Sequence, residues 1–164
     1  MKKLISIAFL LLLIPIFSQA EAKPKPCKKC YCSVTATNVN FGSYDTLSQL
    51  AVDSAGDVEV SCGTDTIGDV MSYEIKLSGA KKGSKPRKMK GPDSYRLEYN
   101  IYTDVARTII WGDGKGSTAL ITDSYTFPVL CCVTRNYTSY GRIDAGQNVG
   151  PGFYIDSIVV KVNF

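Results

Sequence analysis

Three groups of residues in this chain could perform chemistry: six cysteines, a cluster of basic residues, and a glycine-rich stretch. Histidine is missing from all 164 positions. Without an imidazole, Ser-His-Asp and Cys-His catalysis and every His-ligated metal site are excluded. An enzyme would then need a pair of carboxylates, and no acidic cluster stands out among the 15 Asp and Glu residues. The composition therefore predicts a protein that is not an enzyme and that uses no cofactor and no metal.

The glycine-rich stretch from Gly112 to Ser117 has the composition of a phosphate-binding loop. Such a loop holds phosphate when a helix N-terminus follows it and supplies aligned N–H groups. Residues of high β propensity follow here instead. We therefore predict a turn between strands at this position.

The basic cluster has no acidic residue among its members: Lys81, Lys82, Lys85, Arg87, Lys88 and Lys90. A solvated loop between two strands is the simpler prediction for such a run. The functional alternative is a surface that binds an anionic polysaccharide or phospholipid.

The N-terminus has the pattern of a secretory signal peptide. Lys2 and Lys3 precede an apolar stretch over residues 4–17, and Ser18-Gln19-Ala20 matches a small-residue cleavage site. The apolar stretch is shorter than the ~20 residues that a membrane-spanning helix needs. We therefore predict that residues 1–20 are removed, with cleavage after Ala20 or Ala22, and that the protein is exported.

Export changes the meaning of the cysteines, because disulfides persist in oxidising compartments. Cys27 and Cys30 have a spacing that also occurs in zinc knuckles and redox dithiols, but no βαβ pattern surrounds them. Cys131 and Cys132 are adjacent and would point to opposite faces of an extended strand. We therefore expect these two to bond to Cys27 and Cys30. The full set is Cys27, Cys30, Cys32, Cys62, Cys131 and Cys132.

The elements that position these residues are predicted to be strands, because short runs of alternating apolar residues are separated by Gly, Pro, Asp and Ser. Val58, Val60 and Cys62, for example, alternate with polar residues, which gives the strand one face for a core. The pattern favours an all-β antiparallel β-sandwich in one domain. The predicted strands cover residues 34–41, 58–62, 73–77, 95–101, 108–111, 119–122, 125–133, 137–143 and 158–164.

Several separated segments together resemble the spore coat protein U domain, which is shared by subunits of archaic chaperone–usher pili. They cover nearly all of residues 32–164, which we assign to this domain. The matching segments are 32–45, 58–62, 97–104 with Arg107, Trp111-Gly112, 140–143 and 152–164.

The resemblance implies an immunoglobulin-like sandwich that lacks its final strand, with Cys32 bonded to Cys62. Such a sandwich leaves an apolar groove with unpaired backbone groups. In this family a periplasmic chaperone fills the groove first, and a segment of the next subunit replaces it at the outer-membrane usher. We expect the groove beside the C-terminal strand, formed by Ile158, Val160, Val162 and Phe164. The alternative is that this strand is paired on both sides within its own chain.

Residues 21–31 depart from the family pattern, in which an alternating apolar segment precedes the domain and serves as the donor strand. This segment contains two prolines and four lysines. Proline removes a backbone donor and lysine places charge where a groove needs apolar groups. We therefore predict a poor donor, as in a terminal or tip subunit or a coat protein outside any pilus.

The resulting hypothesis is a secreted structural subunit of a bacterial pilus, fimbrium or coat. Its expected partners are the chaperone, the usher and other subunits, and it passes through the periplasm to the cell surface. The alternative is a monomeric module that binds surface glycan or another anionic polymer. Neither nucleic acid nor integral membrane insertion is expected.

Overall fold

The computed structural model describes residues 26–80 and 85–164. The predicted signal peptide, Lys81 and Lys82 therefore lie outside the described residues. Eight strands form over the described ranges, together with one short 3-10 turn at Pro92–Ser94. The strands are β1 (Cys30–Ala36), β2 (Val52–Thr64), β3 (Val70–Leu77), β4 (Arg87–Lys90), β5 (Arg96–Tyr102), β6 (Ile121–Thr126), β7 (Val133–Ile143) and β8 (Val160–Asn163).

The strands form two sheets, one with the order β1-β2-β7-β5-β4 and one with the order β6-β3-β8. All strand pairs are antiparallel. This confirms the predicted all-β antiparallel sandwich. Within the described part of the chain, no helix is long and apolar enough to cross a membrane.

The core lies between the two sheets and follows the predicted alternation. From residue 56 to 62 of β2 and from 71 to 77 of β3, every second residue is buried and the residues between are more exposed. Each apolar side chain among them contributes burial of apolar area worth ~25 cal/mol per Å². The buried apolar residues are Val58, Val60, Cys62, Met71, Tyr73, Ile75, Leu77, Met89, Leu97, Tyr99, Ile101, Trp111, Phe127 and Ile143.

The strands differ from the prediction at several places. The predicted strand over 108–111 is wrong, because only isolated bridges occur at Ile110 and Trp111. β4 lies where a loop is predicted, and the last strand begins at Val160.

The first strand ends at Ala36, and residues 37–46 continue as irregular chain along the sandwich. Residues 127–132 form a loop, so the predicted strand over 125–133 is wrong. Cys131 in that loop has a φ of 65°, a left-handed conformation that interrupts an extended strand.

The cysteine pairing is Cys32–Cys62, Cys27–Cys30 and Cys131–Cys132. The first is the pairing that the family resemblance implies, and it joins directly opposite residues of β1 and β2. The prediction that Cys27 and Cys30 bond to Cys131 and Cys132 is wrong. It assumed an extended backbone at Cys131, whereas the turn there brings the side chains of Cys131 and Cys132 together. The Cys27 and Cys30 Cα atoms lie 5.8 Å apart, a usual separation for a disulfide.

The basic cluster does not form one solvated surface. Arg87 to Lys90 make up β4, and the Arg87 side chain is 2% exposed. Its guanidinium donates hydrogen bonds to the carbonyls of Ser78 and Trp111. Lys88 pairs with Glu98 at 2.7 Å, while Lys85 and Lys90 are exposed. The prediction of an anionic-ligand loop with Arg87 as a member is therefore wrong, because strand alternation turns that residue inward.

Candidate functional site: an open groove between the sheets

The C-terminal strand β8 is paired on one side only among the described residues. Its partner is β3, with Val160 opposite Leu77 and Val162 opposite Ile75. Because β8 is the last strand in the order β6-β3-β8, its other edge has no strand beside it within residues 26–80 and 85–164. Backbone groups on such an edge are available to another chain.

An open groove of about 1270 Å³ lies next to this edge. One wall is the irregular segment 36–46, and the other is formed by residues 149–156 with Ile158 and Val160. The floor consists of core side chains from both sheets: Val58, Leu77, Met89, Leu97, Tyr99, Ile101 and Ile143. The groove itself is open to solvent, while the floor side chains at its base are at most 8% exposed.

The inner face of β1 shows the same opening. Cys32 and Val34 share one face of β1, as do residues 30 and 36, because side chains alternate along a strand. Cys32 is half-buried, but Val34, two residues further, is 40% exposed and Ala36 is exposed. The exposure of the core-facing side chains of β1 thus increases towards the groove.

The first wall is held against the five-stranded sheet by hydrogen bonds and close packing. The Ser54 hydroxyl donates to the Asn40 carbonyl at 2.6 Å, and the Thr37 amide donates to the Asp57 carbonyl. A Cβ at Gly141 would lie 2.6 Å from the Val39 side chain and 2.7 Å from the Phe41 ring. Glycine is therefore required at position 141 for the wall to approach β7 this closely.

The second wall connects the two sheets. Ile155 forms two backbone hydrogen bonds with Lys90 of β4, at 2.7 and 3.0 Å. A few residues later the Val159 amide donates to the Ser78 hydroxyl, and β8 then pairs with β3. The wall therefore begins on the five-stranded sheet and ends on the three-stranded sheet.

Tyr99 on the floor contacts both walls. The Phe41 ring packs edge-to-face against it at a centroid distance of 5.9 Å. The Tyr99 hydroxyl donates to Asp156 Oδ2 of the second wall at 2.7 Å. Burial, followed by the hydrogen bond to Asp156, raises the pKa of Tyr99 well above its usual range. The phenol is therefore neutral at physiological pH and donates to the carboxylate.

The structure brings only part of the predicted groove set together. Ile158 and Val160 line the groove, and Val162 is half-buried against the core opposite Ile75. Phe164 is 62% exposed and does not line the groove, because β8 ends at Asn163. Neither Val162 nor Phe164 is among the residues that line the groove, and their contact with an added strand stays a prediction.

Sequence reasoning did not identify the first wall. Residues 37–41 were predicted to continue the first strand, yet Val39 and Phe41 line the groove as irregular chain. The available signal was the sequence Phe41-Gly42, because Gly42 has a φ of 67° and marks a turn directly after the wall residue. No group of three or more His, Cys, Asp or Glu residues that could hold a metal ion occurs within the described ranges.

Comparison with known proteins agrees with this architecture. A chain of a chaperone–tip adhesion subunit pre-assembly complex from archaic chaperone-usher Csu pili of Acinetobacter baumannii superposes with a TM-score of 0.53 at 22% identity. The match covers 83% of this chain and 40% of that one, so this chain spans less than half of its length. It supports the fold, an incomplete immunoglobulin-like sandwich, and nothing finer.

Two sequence matches concern the family. Protein U of Myxococcus xanthus is 32% identical over 137 residues, which cover 77% of this chain and 71% of that protein. The model of the Spore Coat Protein U domain matches residues 19–161. The chain therefore belongs to the Spore Coat Protein U domain family.

Proposed function

We propose that this chain is an exported structural subunit of a bacterial surface assembly, a pilus or coat, and that its groove accepts a β-strand from another chain. The observation that carries the proposal is the combination of an open groove, lined largely by apolar side chains, with an edge of β8 that has no described strand partner. The groove and the unpaired edge lie side by side, so one extended segment would fill the groove and pair with the edge. The family membership supports the same class of function.

An inserted strand gains stability from two sources. Each backbone hydrogen bond to the β8 edge contributes about 0.5–1.5 kcal/mol net. Apolar side chains placed over Leu97, Ile101 and the other floor residues contribute ~25 cal/mol for each Å² removed from water. This is strand addition between chains, which uses main-chain bonds for affinity and alternate side chains for specificity.

The proposed partners follow from this mode of binding. A periplasmic chaperone would fill the groove after export, and a segment of another subunit would replace it at the outer-membrane usher. The chain would thus pass through the periplasm to the cell surface, and its role would be assembly and not catalysis. The similar Acinetobacter baumannii chain belongs to a pre-assembly complex of a chaperone with a tip adhesion subunit. That complex is a precedent for capture by a chaperone.

The segment in front of β1 supports an accepting role over a donating one. Pro26 forms a bridge with Val70 at the start of β3, and the Cys27 amide donates to the Val70 carbonyl at 3.1 Å. The Cys27–Cys30 disulfide closes the chain into a small loop directly afterwards. Residues 26–30 are thereby tied to their own domain, so a donor strand could not include them.

Co-expression with the cognate chaperone tests the proposal. Val160→Asp places an unpaired carboxylate among the apolar groups of the groove, and we expect it to abolish chaperone capture in a pull-down. Lys161→Asp is the matched control, because the neighbouring side chain is exposed and faces away. Equal folding and capture of the two variants would show that the groove does not accept a strand.

A further inference from the structure

The charged side chains that line the groove are of one sign. Among the described residues, only Asp45 and Asp156 carry charge there, and neither lysine nor arginine lines the groove. The chain as a whole has the opposite balance, with 19 Lys and Arg against 15 Asp and Glu. The groove is therefore an acidic feature of a basic protein.

Asp156 is held in a fixed orientation by its neighbours. Its Oδ2 accepts the Tyr99 hydroxyl at 2.7 Å, and its Oδ1 accepts the Ser157 amide at 2.8 Å. The residue is nevertheless exposed, and each carboxylate oxygen can accept a further hydrogen bond. None of the ion pairs formed within the described ranges includes Asp156. Its charge is therefore ordered and open to a group that enters the groove.

The nearest buried cation does not occupy this position. Arg87 lies opposite Tyr99 in the β4–β5 pair, and its electrostatic influence extends to Tyr99 and Asp156. However, the guanidinium bonds to the Ser78 and Trp111 carbonyls and is not part of the groove lining. Arg87 therefore reduces the negative potential near Asp156 but forms no hydrogen bond or ion pair with its carboxylate.

Asp45 is a weaker candidate for the same role. Its Oδ1 accepts the Leu47 amide at 2.9 Å, and its carbonyl accepts the Ser48 amide, so the residue organises a turn at the end of the first wall. Asp156 lies instead beside the aromatic floor residue that joins the two walls. A strand in the groove would pass over Tyr99 and therefore meet Asp156.

We propose that the groove selects strands that carry a lysine or arginine at the position facing Asp156, between the apolar residues that cover the floor. The inference rests on the proposed strand-accepting function and adds the chemistry of the partner. A cation at this point gains a charge-assisted hydrogen bond, whereas a carboxylate meets a like charge. Selection by charge would also set the register, since a shift by one residue moves the cation away from Asp156.

A peptide series tests this inference on the whole mature chain. Labelled peptides of one length alternate valine with threonine, and each position in turn is replaced by lysine, glutamine or glutamate. The chain is refolded with its disulfides intact in the presence of each peptide, and affinity is measured by fluorescence anisotropy at low and high salt. Asp156→Asn removes the charge, and Asp65→Asn, an exposed acid in the turn after β2 and outside the groove, is the matched control.

We expect one position at which lysine binds about two- to fivefold more tightly than glutamine and glutamate binds most weakly, as for an exposed ion pair. High salt and Asp156→Asn should both reduce that ratio towards one, and Asp65→Asn should not. If Asp156→Asn does not refold, the salt dependence of the lysine-to-glutamine affinity ratio in the unaltered chain tests the charge selection. Equal binding of the three peptides at every position would overturn the charge selection and leave the strand-accepting function intact. Failure of all peptides to bind would count against the strand-accepting function itself.

Discussion

The two outer strands of the three-stranded sheet differ in how the sandwich is closed beside them. At β6, side chains from both sheets meet: the Tyr137 hydroxyl of β7 donates to Asp123 of β6, and Tyr73 of β3 bonds to Tyr137. Arg135 adds an ion pair to Asp123 at 3.9 Å. At β8, the corresponding space is the groove.

The difference is in the chemistry of the two edges as well as in their packing. Beside β6 the space between the sheets is filled by a polar network in which the Tyr73 and Tyr137 phenols have partners, with Tyr73 2% exposed. Beside β8 the same space is an apolar groove, which one added strand would fill. Both strands have one edge with no described strand partner, but only at β8 does that edge border an open groove.

Supplying a strand to the open edge should have the largest effect. An alternating apolar strand joined to Phe164 by a short turn would form about four ladder hydrogen bonds and cover the floor, adding about 5 kcal/mol to the free energy of unfolding. For a domain of this size that corresponds to a rise in Tm of about 10–20 °C, measured by circular dichroism. A tail with prolines at alternate positions is the control, because it cannot complete the ladder. If both tails gave the same Tm, the two edges would not differ as described.

The Cys32–Cys62 disulfide should have the next largest effect, because it fixes β1 beside the open groove. It closes a loop with a sequence separation of 30, and its removal in the double variant Cys32→Ala, Cys62→Ala should cost about 3–4 kcal/mol by the chain-entropy model. Urea unfolding measures this loss.

The control for loop closure is the double variant Cys131→Ser, Cys132→Ser. These residues are adjacent, so their disulfide closes almost no loop and should contribute less than about 1 kcal/mol. Equal losses from the two double variants would contradict the view that loop closure sets how much each disulfide stabilises the chain.

The sequence predicted the closed parts of the fold better than the open ones. Val58, Val60 and Cys62 alternate with polar residues because both neighbouring strands and the opposite sheet belong to the same chain, so local pattern and tertiary packing agree. Residues 37–41 continue the same pattern, yet their few hydrogen bonds to β2 do not form a strand ladder, and they form an irregular wall. Alternation indicates which side chains face a core but not which chain provides the rest of that core.

The wrong prediction for Arg87 has a similar origin. Its charge suggests that it is exposed like the neighbouring lysines, but in β4 its side chain faces inward, and the residue lies opposite Tyr99. The Ser78 and Trp111 carbonyls accept hydrogen bonds from Nε and Nη2 of Arg87, whereas Nη1 is buried without a partner among the described residues. Only the tertiary arrangement shows that a buried arginine has acceptors there.

The smallest of the expected effects concerns the closed edge at high pH. Burial is the main factor that raises the pKa of Tyr125 on β6 from its usual 10 to about 12, and the neighbouring Tyr73 adds to it. The unfolded chain then loses this proton at a lower pH than the folded chain, so the stabilisation is complete below pH 10 and is lost as the pH rises through 12. Since the Tyr125 hydroxyl has no hydrogen-bond partner among the described residues, Tyr125→Phe should leave stability near pH 7 almost unchanged. Between pH 10 and 12 the unaltered chain should lose about 1–2 kcal/mol relative to Tyr125→Phe, as measured by urea unfolding across that range.

Tyr95→Phe, at a ring that is 43% exposed, is the matched control for the loss of one tyrosine. Parallel pH profiles for the unaltered chain and Tyr125→Phe would show that burial at the β6 edge does not hold this phenol in its neutral form.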